Sequence, residues 1–167
     1  MLNRILSFQT LLTILTLAFP ASADPPAAWS ERMQVFRDWR LDCRADPCIR
    51  YVSVAGAGEA EVLRLALSAG AAPALTVSTP LPLFLPDGVV LAIGDEPERP
   101  VAWRTCGPAG CEATAPLDTG LLAALRRERG GSATLTLVDG VRVRLPFSLL
   151  GFSAALEAGG PLVSLPP

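Results

Sequence analysis

The sequence predicts an all-β fold: a β-sandwich of short antiparallel strands with one or two short helices. Hydrophobic residues make up 50% of the 167-residue chain and charged residues only 18%, which is enough apolar surface for one folded core. The 16 Pro and 14 Gly residues interrupt the chain too often for long helices. Between these breaks, short apolar runs recur at the spacing typical of sandwich strands.

Residues 1–23 are predicted to be a signal peptide. Arg4 precedes a short apolar stretch at 11–19, and Ala21 and Ala23 supply the small residues that a signal peptidase reads. The stretch is interrupted by Thr13 and is shorter than the ~20 residues that span a bilayer. We therefore expect an exported periplasmic protein without an integral membrane segment in its mature form. Outer-membrane association and secretion remain open.

The rest of the chain divides into three parts. Residues 24–34 are polar and aperiodic and are predicted to form a flexible N-terminal arm, 35–158 form the sandwich domain, and 159–167 form a loose C-terminal tail. Short runs bounded by Gly, Pro or Asp predict strands at 36–43, 49–55, 62–67, 74–77, 89–93, 101–106 and 112–115. Within the first of these, Trp39 is expected to belong to the core.

A hairpin is predicted between residues 133 and 145. A two-residue Asp-Gly turn would place leucines and arginines on one face of the sheet. A three-residue loop, Val138 to Gly140 with Gly140 in the left-handed conformation, instead pairs Leu135 with Val143 on an apolar face. We therefore predict the three-residue loop.

Two helices are predicted after the last short strand. Asp118 is placed to cap a helix over 119–129 that ends at Gly130, with leucines on one face. Ser148 is placed to cap a shorter helix that ends at Gly159 and closes the sandwich at one end.

The four cysteines form two pairs with the same spacing, Cys43 with Cys48 and Cys106 with Cys111. In an exported chain they are expected to be structural disulfides. Chain entropy favours a long cross-link, whereas a four-residue turn sets Cys106 opposite Cys111 across a hairpin. We favour the local pairs and leave the long connectivity as the alternative.

A proline-rich segment at 79–88 carries the candidate partner surface. Three prolines cannot donate to a sheet ladder, so the segment must lie at an edge or in a loop. It nevertheless contains Leu81, Leu83, Phe84 and Leu85. These side chains either cover the end of the core, which the sequence favours, or form a hydrophobic surface for a partner.

Composition excludes several kinds of chemistry. The chain has no His and no Lys, which removes Ser-His and Cys-His nucleophile pairs, His-ligated zinc and lysine Schiff bases. The net charge of −2 and the lack of a basic stripe argue against nucleic-acid binding. No cofactor or metal site is predicted. Asp95, Glu96 and Glu98 cluster beside Gly94 and two prolines, which is typical of a solvated turn, and no catalytic residue is predicted. A carboxylate enzyme would instead require two acids in one cavity.

Four motifs, in order, resemble the invasion-associated locus B family of exported bacterial proteins across about residues 36–157. They are Trp39-x-Leu41-x-Cys43; Ser78-Thr79-Pro80-Leu81 followed by Leu85-Pro86-x-Gly88; Arg104-Thr105-Cys106 followed by Gly110-Cys111; and Leu145-Pro146-x-Ser148 followed by Gly151-Phe152 and Ala155-Leu156. Pro82, Phe84 and the absence of Lys depart from the family pattern.

The resemblance implies a Gram-negative envelope protein with a β-sandwich and no established catalytic site. The expected function is that of a non-catalytic binding or envelope-interaction module, whose partner is an unidentified protein or envelope component. The family name implies a link to host-cell interaction. The alternative is a periplasmic enzyme that uses a carboxylate pair.

Overall fold

The computed structural model describes residues 32–44, 46–69 and 72–162. The predicted signal peptide and residues 24–31 of the predicted arm lie outside these ranges. The described residues form eleven strands and two α-helices. The strands are β1 Met33–Phe36, β2 Trp39–Asp42, β3 Ile49–Ala55, β4 Glu61–Ser68, β5 Ala74–Thr79, β6 Val89–Ile93, β7 Arg99–Val101, β8 Trp103–Gly107, β9 Gly110–Pro116, β10 Gly130–Thr136 and β11 Arg142–Ser148. The helices are α1 Thr119–Arg127 and α2 Phe152–Ala158.

The strands form two antiparallel sheets. One has seven strands in the order β1-β2-β3-β4-β5-β9-β8, and the other has four in the order β11-β10-β6-β7. One hydrophobic core contains residues of both sheets, for example Leu65 of β4 and Leu91 of β6, which are almost fully buried. The predicted all-β sandwich with two short helices is therefore confirmed.

Trp39 of β2 connects the two sheets by a hydrogen bond to β11. Its side chain is fully buried, and its indole Nε1 donates to the carbonyl oxygen of Ser148 at 3.0 Å. The ring of Phe152 meets it edge-on, with 4.9 Å between ring centroids. The expectation that Trp39 is a core residue is confirmed, and it packs the start of α2 against the large sheet.

Two predicted strands are each divided in the structure. Residues 36–43 contain a turn at Arg37 and Asp38, where Arg37 has a φ of 55°, so that Phe36 of β1 pairs with Trp39 of β2. The predicted strand 101–106 ends as β7 at Val101 and resumes as β8 at Trp103, beside a register shift. Met33 and Gln34, assigned to the arm from the sequence, lie in β1.

The predicted hairpin has the predicted register. Leu135 lies opposite Val143, and the backbone N–H of Leu137 donates to the carbonyl oxygen of Val141 at 2.8 Å. Gly140 has a φ of +84°, which is the left-handed conformation expected for the third residue of the loop.

Only one of the two predicted helix caps is present in the structure. Asp118 caps α1 as expected, but α1 ends at Arg127, and Gly130 begins β10 instead of ending the helix. Ser148 does not cap α2. It is the last residue of β11, and α2 follows Gly151, whose φ is +92°. A Cβ atom at Gly151 would lie 1.7 Å from the carbonyl oxygen of Phe36, so only glycine fits there.

The residues after α2 are held by a buried arginine. Nη2 of Arg50 donates to the carbonyl oxygen of Gly160 at 2.8 Å, and Leu162 packs against the core. The first residues of the predicted loose tail therefore contact the body of the sandwich. Residues 163–167 lie outside the described residues.

Candidate functional site

The proline-rich segment between β5 and β6 runs beside the end of β10. The N–H of Phe84 donates to the carbonyl oxygen of Thr136 at 2.8 Å. The N–H of Val138 donates to the carbonyl oxygen of Pro82 at 3.3 Å. Leu83 lies opposite Leu137 as an isolated antiparallel bridge. The segment therefore adds a short, proline-limited pairing at one end of the four-stranded sheet.

The four apolar residues of the segment divide into two groups. Leu83 is 7% exposed and forms a small cluster with Cys111 and Leu135, against which Leu81 packs. Phe84 is 46% exposed and Leu85 is 47% exposed. The two alternatives from the sequence thus apply to different residues, since Leu81 and Leu83 cover the core and the next two face solvent.

Side-chain hydrogen bonds fix both ends of the segment. Thr79 Oγ1 donates to the carbonyl oxygen of Val62 at 2.8 Å and accepts from the N–H of Leu81 at 3.3 Å. At the other end, Thr136 Oγ1 donates to a carboxylate oxygen of Asp87 at 2.7 Å. The backbone that carries the exposed Phe84 and Leu85 is therefore fixed by hydrogen bonds at both ends of the segment.

Two further exposed apolar residues lie at the same end of the small sheet. Val138, the first residue of the hairpin loop, is 65% exposed and its N–H is bonded to the segment, and Val141, the residue after the loop, is 52% exposed. We call Phe84, Leu85, Val138 and Val141 the apolar patch. The sequence interpretation missed the valines because it used the loop only to set the register of the hairpin. A valine exposed in a polar hairpin loop is the signal that was available.

The cysteines lie at disulfide distance in local pairs. The two sulfur atoms are 2.09 Å apart for Cys43 and Cys48 and 2.08 Å apart for Cys106 and Cys111. Cys111 is buried beside Leu83, so one sulfur-bearing residue of the second pair packs against the proline-rich segment.

The candidate acids lie in the turn between β6 and β7. Glu96 and Glu98 line one cavity of about 390 Å³ together with Arg99, which meets the geometric requirement of two acids in one cavity. However, Glu96 accepts from Arg127 Nη2 at 2.7 Å and is itself exposed. The ion pair between Glu96 and Arg127 therefore joins the turn to α1 at the exposed surface.

A neighbouring carboxylate, Asp118, caps α1 and is bonded to two donors. The N–H of Leu121 donates to it at 2.7 Å, and this bond, together with one from Arg99, holds the pKa of Asp118 below its usual range. Within residues 32–44, 46–69 and 72–162, no group of three acidic or cysteine side chains is placed to hold a metal ion. None of the helices in that part of the chain is long and apolar enough to cross a membrane.

The chain is similar to proteins of one known family. Residues 40–159 match the family model described as Invasion associated locus B (IalB) protein. The crystal structure of invasion associated protein B from Bartonella henselae has a TM-score of 0.69 at 21% sequence identity, and the match covers 76% of this chain and 94% of that one. At this identity the likeness establishes the fold alone. No curated protein matches the chain. Because the family model spans most of the described residues, the chain belongs to the invasion associated locus B family.

Proposed function

We propose that this protein is an exported, non-catalytic binding module of the cell envelope that contacts a partner protein through the apolar patch. The observation that carries the proposal is the exposure of Phe84 and Leu85 on a backbone pinned by Thr79 and Thr136. An exposed aromatic side chain on rigid backbone is typical of the apolar centre of a protein interface. The matched family, moreover, is not a known enzyme family.

Site-specific photo-cross-linking in cells tests this function. A photoreactive phenylalanine analogue is introduced at position 84 and, as a control, at position 35. Val35 is also exposed, at 64%, but it lies on β1 at the edge of the other sheet. We expect a discrete adduct from position 84 and none from position 35. Equal labelling at both positions, or none at either, would contradict the proposal.

Export is tested by fractionation and N-terminal sequencing. The Ala21-Ser22-Ala23 sequence after a short apolar stretch supports cleavage before Asp24 and recovery in the periplasmic fraction. Envelope-localised protein that retains Met1 would contradict cleavage. The identity of the adduct from position 84 separates an envelope partner from a host-cell protein, to which the names of the family and of the Bartonella structure point.

A carboxylate enzyme is the second candidate, and it is favoured by the cavity shared by Glu96 and Glu98. We would assay such an enzyme by hydrolysis of a glycosidic bond, a reaction that uses two carboxylates. Purified protein is incubated with isolated cell-wall glycan beside a Glu98→Gln variant. Our proposal expects no release of soluble sugar from either sample. Release by the native protein that is lost in the variant would establish the second candidate.

A further inference from the structure

The outer face of the seven-stranded sheet forms a shallow trough. Its floor consists of small side chains of β4 and β5, namely Ala66, Ser68, Thr76 and Ser78, which alternate with buried core residues. Ala66 lies directly opposite Thr76, so the small side chains lie side by side. The trough has a volume of about 430 Å³. That is within the range of about 300–1,000 Å³ that small-molecule sites occupy.

An aromatic ring and a guanidinium group form one wall of the trough. Tyr51 lies opposite Ala66, and the guanidinium carbon of Arg64 lies 4.9 Å from the centre of its ring. Glu61 orients that guanidinium, since it accepts from Arg64 Nη2 at 2.9 Å. The guanidinium covers one side of the ring and is already bonded to Glu61, so this wall offers the part of the ring that lines the trough.

A carboxylate forms the other wall. Glu112 of β9 lies opposite Ser78 and accepts from its hydroxyl at 3.5 Å. Within the described residues Glu112 takes part in no salt bridge, and its side chain is exposed. This wall therefore supplies acceptors to a ligand that lies across the floor.

The three carboxylates at the trough, Asp42, Glu61 and Glu112, are balanced by three arginines, Arg40, Arg44 and Arg64, and the guanidinium carbon of Arg40 lies 6.0 Å from the centre of the Tyr51 ring. Arg44 is paired with Asp42, and Arg64 with Glu61. The hydrogen bonds from Arg44 hold the pKa of Asp42 below its usual range, so this carboxylate stays ionised at neutral pH. An anionic ligand would have to displace these carboxylates and would also meet Glu112. The trough is therefore suited to an uncharged ligand.

We propose that the trough binds a neutral oligosaccharide. Sugar hydroxyls donate and accept, which matches the hydroxyls of Thr76 and Ser78 and the carboxylate of Glu112. The C–H face of a pyranose ring packs on the part of the Tyr51 ring that lines the trough and is not covered by Arg64. An extended peptide fits less well, because the backbone groups of β4 are already paired with β3 and β5. This surface is distinct from the apolar patch, so the two proposals stand or fall separately.

Titration of the purified, isotopically labelled protein with tri-N-acetylchitotriose and with maltotriose tests the inference. We expect at least one of these neutral trisaccharides to shift the amide signals of β3, β4 and β5. Tyr51→Ala should weaken that binding about tenfold or more, while Tyr51→Phe, which keeps the ring, should stay within about threefold of the native protein. Thr134→Ala, on the other sheet, is the control and should leave binding unchanged.

Glu112→Ala is a second variant, on an exposed residue whose loss leaves the core intact. It should also weaken binding of the trisaccharide. If Tyr51→Ala does not fold, the affinity of Glu112→Ala tests the inference instead. Absence of shifts with both trisaccharides would overturn the inference. So would unchanged affinity in the folded variants, or tighter binding of glucose 6-phosphate than of either neutral sugar.

Discussion

Nη2 of Arg50 on β3 lies 2.8 Å from the carbonyl oxygen of Gly160, just beyond α2. The side chain is fully buried, and the same nitrogen donates to the carbonyl oxygen of Leu156 at 3.4 Å. Burial lowers the pKa of Arg50, and among the described residues no carboxylate forms a salt bridge with it. A buried cation thus binds the carbonyl end of α2, where the helix dipole is negative.

We expect Arg50→Ala to lower the free energy of unfolding by about 2 kcal/mol or more, because it leaves a cavity and unpaired buried carbonyls. Arg142→Ala removes an arginine that is exposed on β11, and it should change the free energy of unfolding by no more than about 0.5 kcal/mol. Urea unfolding of both variants measures the difference. Equal stability of the two variants would show that Arg50 does not anchor α2.

The disulfide pairing predicts a particular set of tryptic peptides without reduction. Trypsin cleaves after Arg44, so a Cys43–Cys48 bond should join peptide 41–44 to peptide 45–50. No arginine lies between Cys106 and Cys111, so peptide 105–126 should be lighter by two hydrogens and joined to no other. Peptide 105–126 linked to 41–44 or 45–50 would establish the long connectivity instead.

Asp118, which caps α1, makes the free energy of unfolding depend on pH under acidic conditions. Because the N–H of Leu121 and the Arg99 guanidinium hold the pKa of Asp118 below its usual range, the ionised form stabilises the fold at any pH above the pKa that this carboxyl has in the unfolded chain. This stabilisation is lost as the pH falls through the lowered pKa. Asp118→Asn keeps a capping oxygen but has no charge. Its stability deficit should be constant near neutral pH and shrink in acid, as measured by thermal unfolding at several pH values. A deficit independent of pH would contradict the charge effect.

Two glycines with positive φ provide a matched pair. Gly140, at φ +84°, has open space around its Cα, whereas a Cβ atom at Gly88, at φ +64°, would lie 2.5 Å from the carbonyl oxygen of Val101. Gly140→Ala should cost about 1–2 kcal/mol from backbone strain alone. Gly88→Ala should cost more, because the loop that carries the apolar patch must also move away from β7. Denaturant unfolding compares the two, and equal costs would show that the close approach is unimportant.

The sequence allowed the register of the β10–β11 hairpin to be predicted because its alternation leaves one apolar face and Gly140 is a residue that adopts positive φ. The division of 36–43 into β1 and β2 was not predictable in this way. The turn there uses Arg37, a residue type that rarely adopts a positive φ, and no Gly or Pro marks it. The pairing of Phe36 with Trp39 is determined by tertiary packing.

The candidate site was predicted only in part for a similar reason. Three prolines placed the segment outside the sheet interior, but alternation alone did not show which side chains face the core. That depends on the bridge between Leu83 and Leu137, which joins residues far apart in the chain. The pairing buries Leu83 and leaves Phe84 exposed, and it brings Val138 to the same end of the small sheet.

The most direct test of the central claim is a comparison of Phe84→Asp with Val35→Asp in stability and partner capture. Phe84 is about half exposed, so its replacement should lower the free energy of unfolding by only about 1 kcal/mol. We expect both variants to fold, and only Phe84→Asp to lose the proteins cross-linked to the native chain in cells. A Phe84→Asp protein that keeps its melting temperature and all its cross-linked partners would contradict the assignment of the apolar patch as the binding surface.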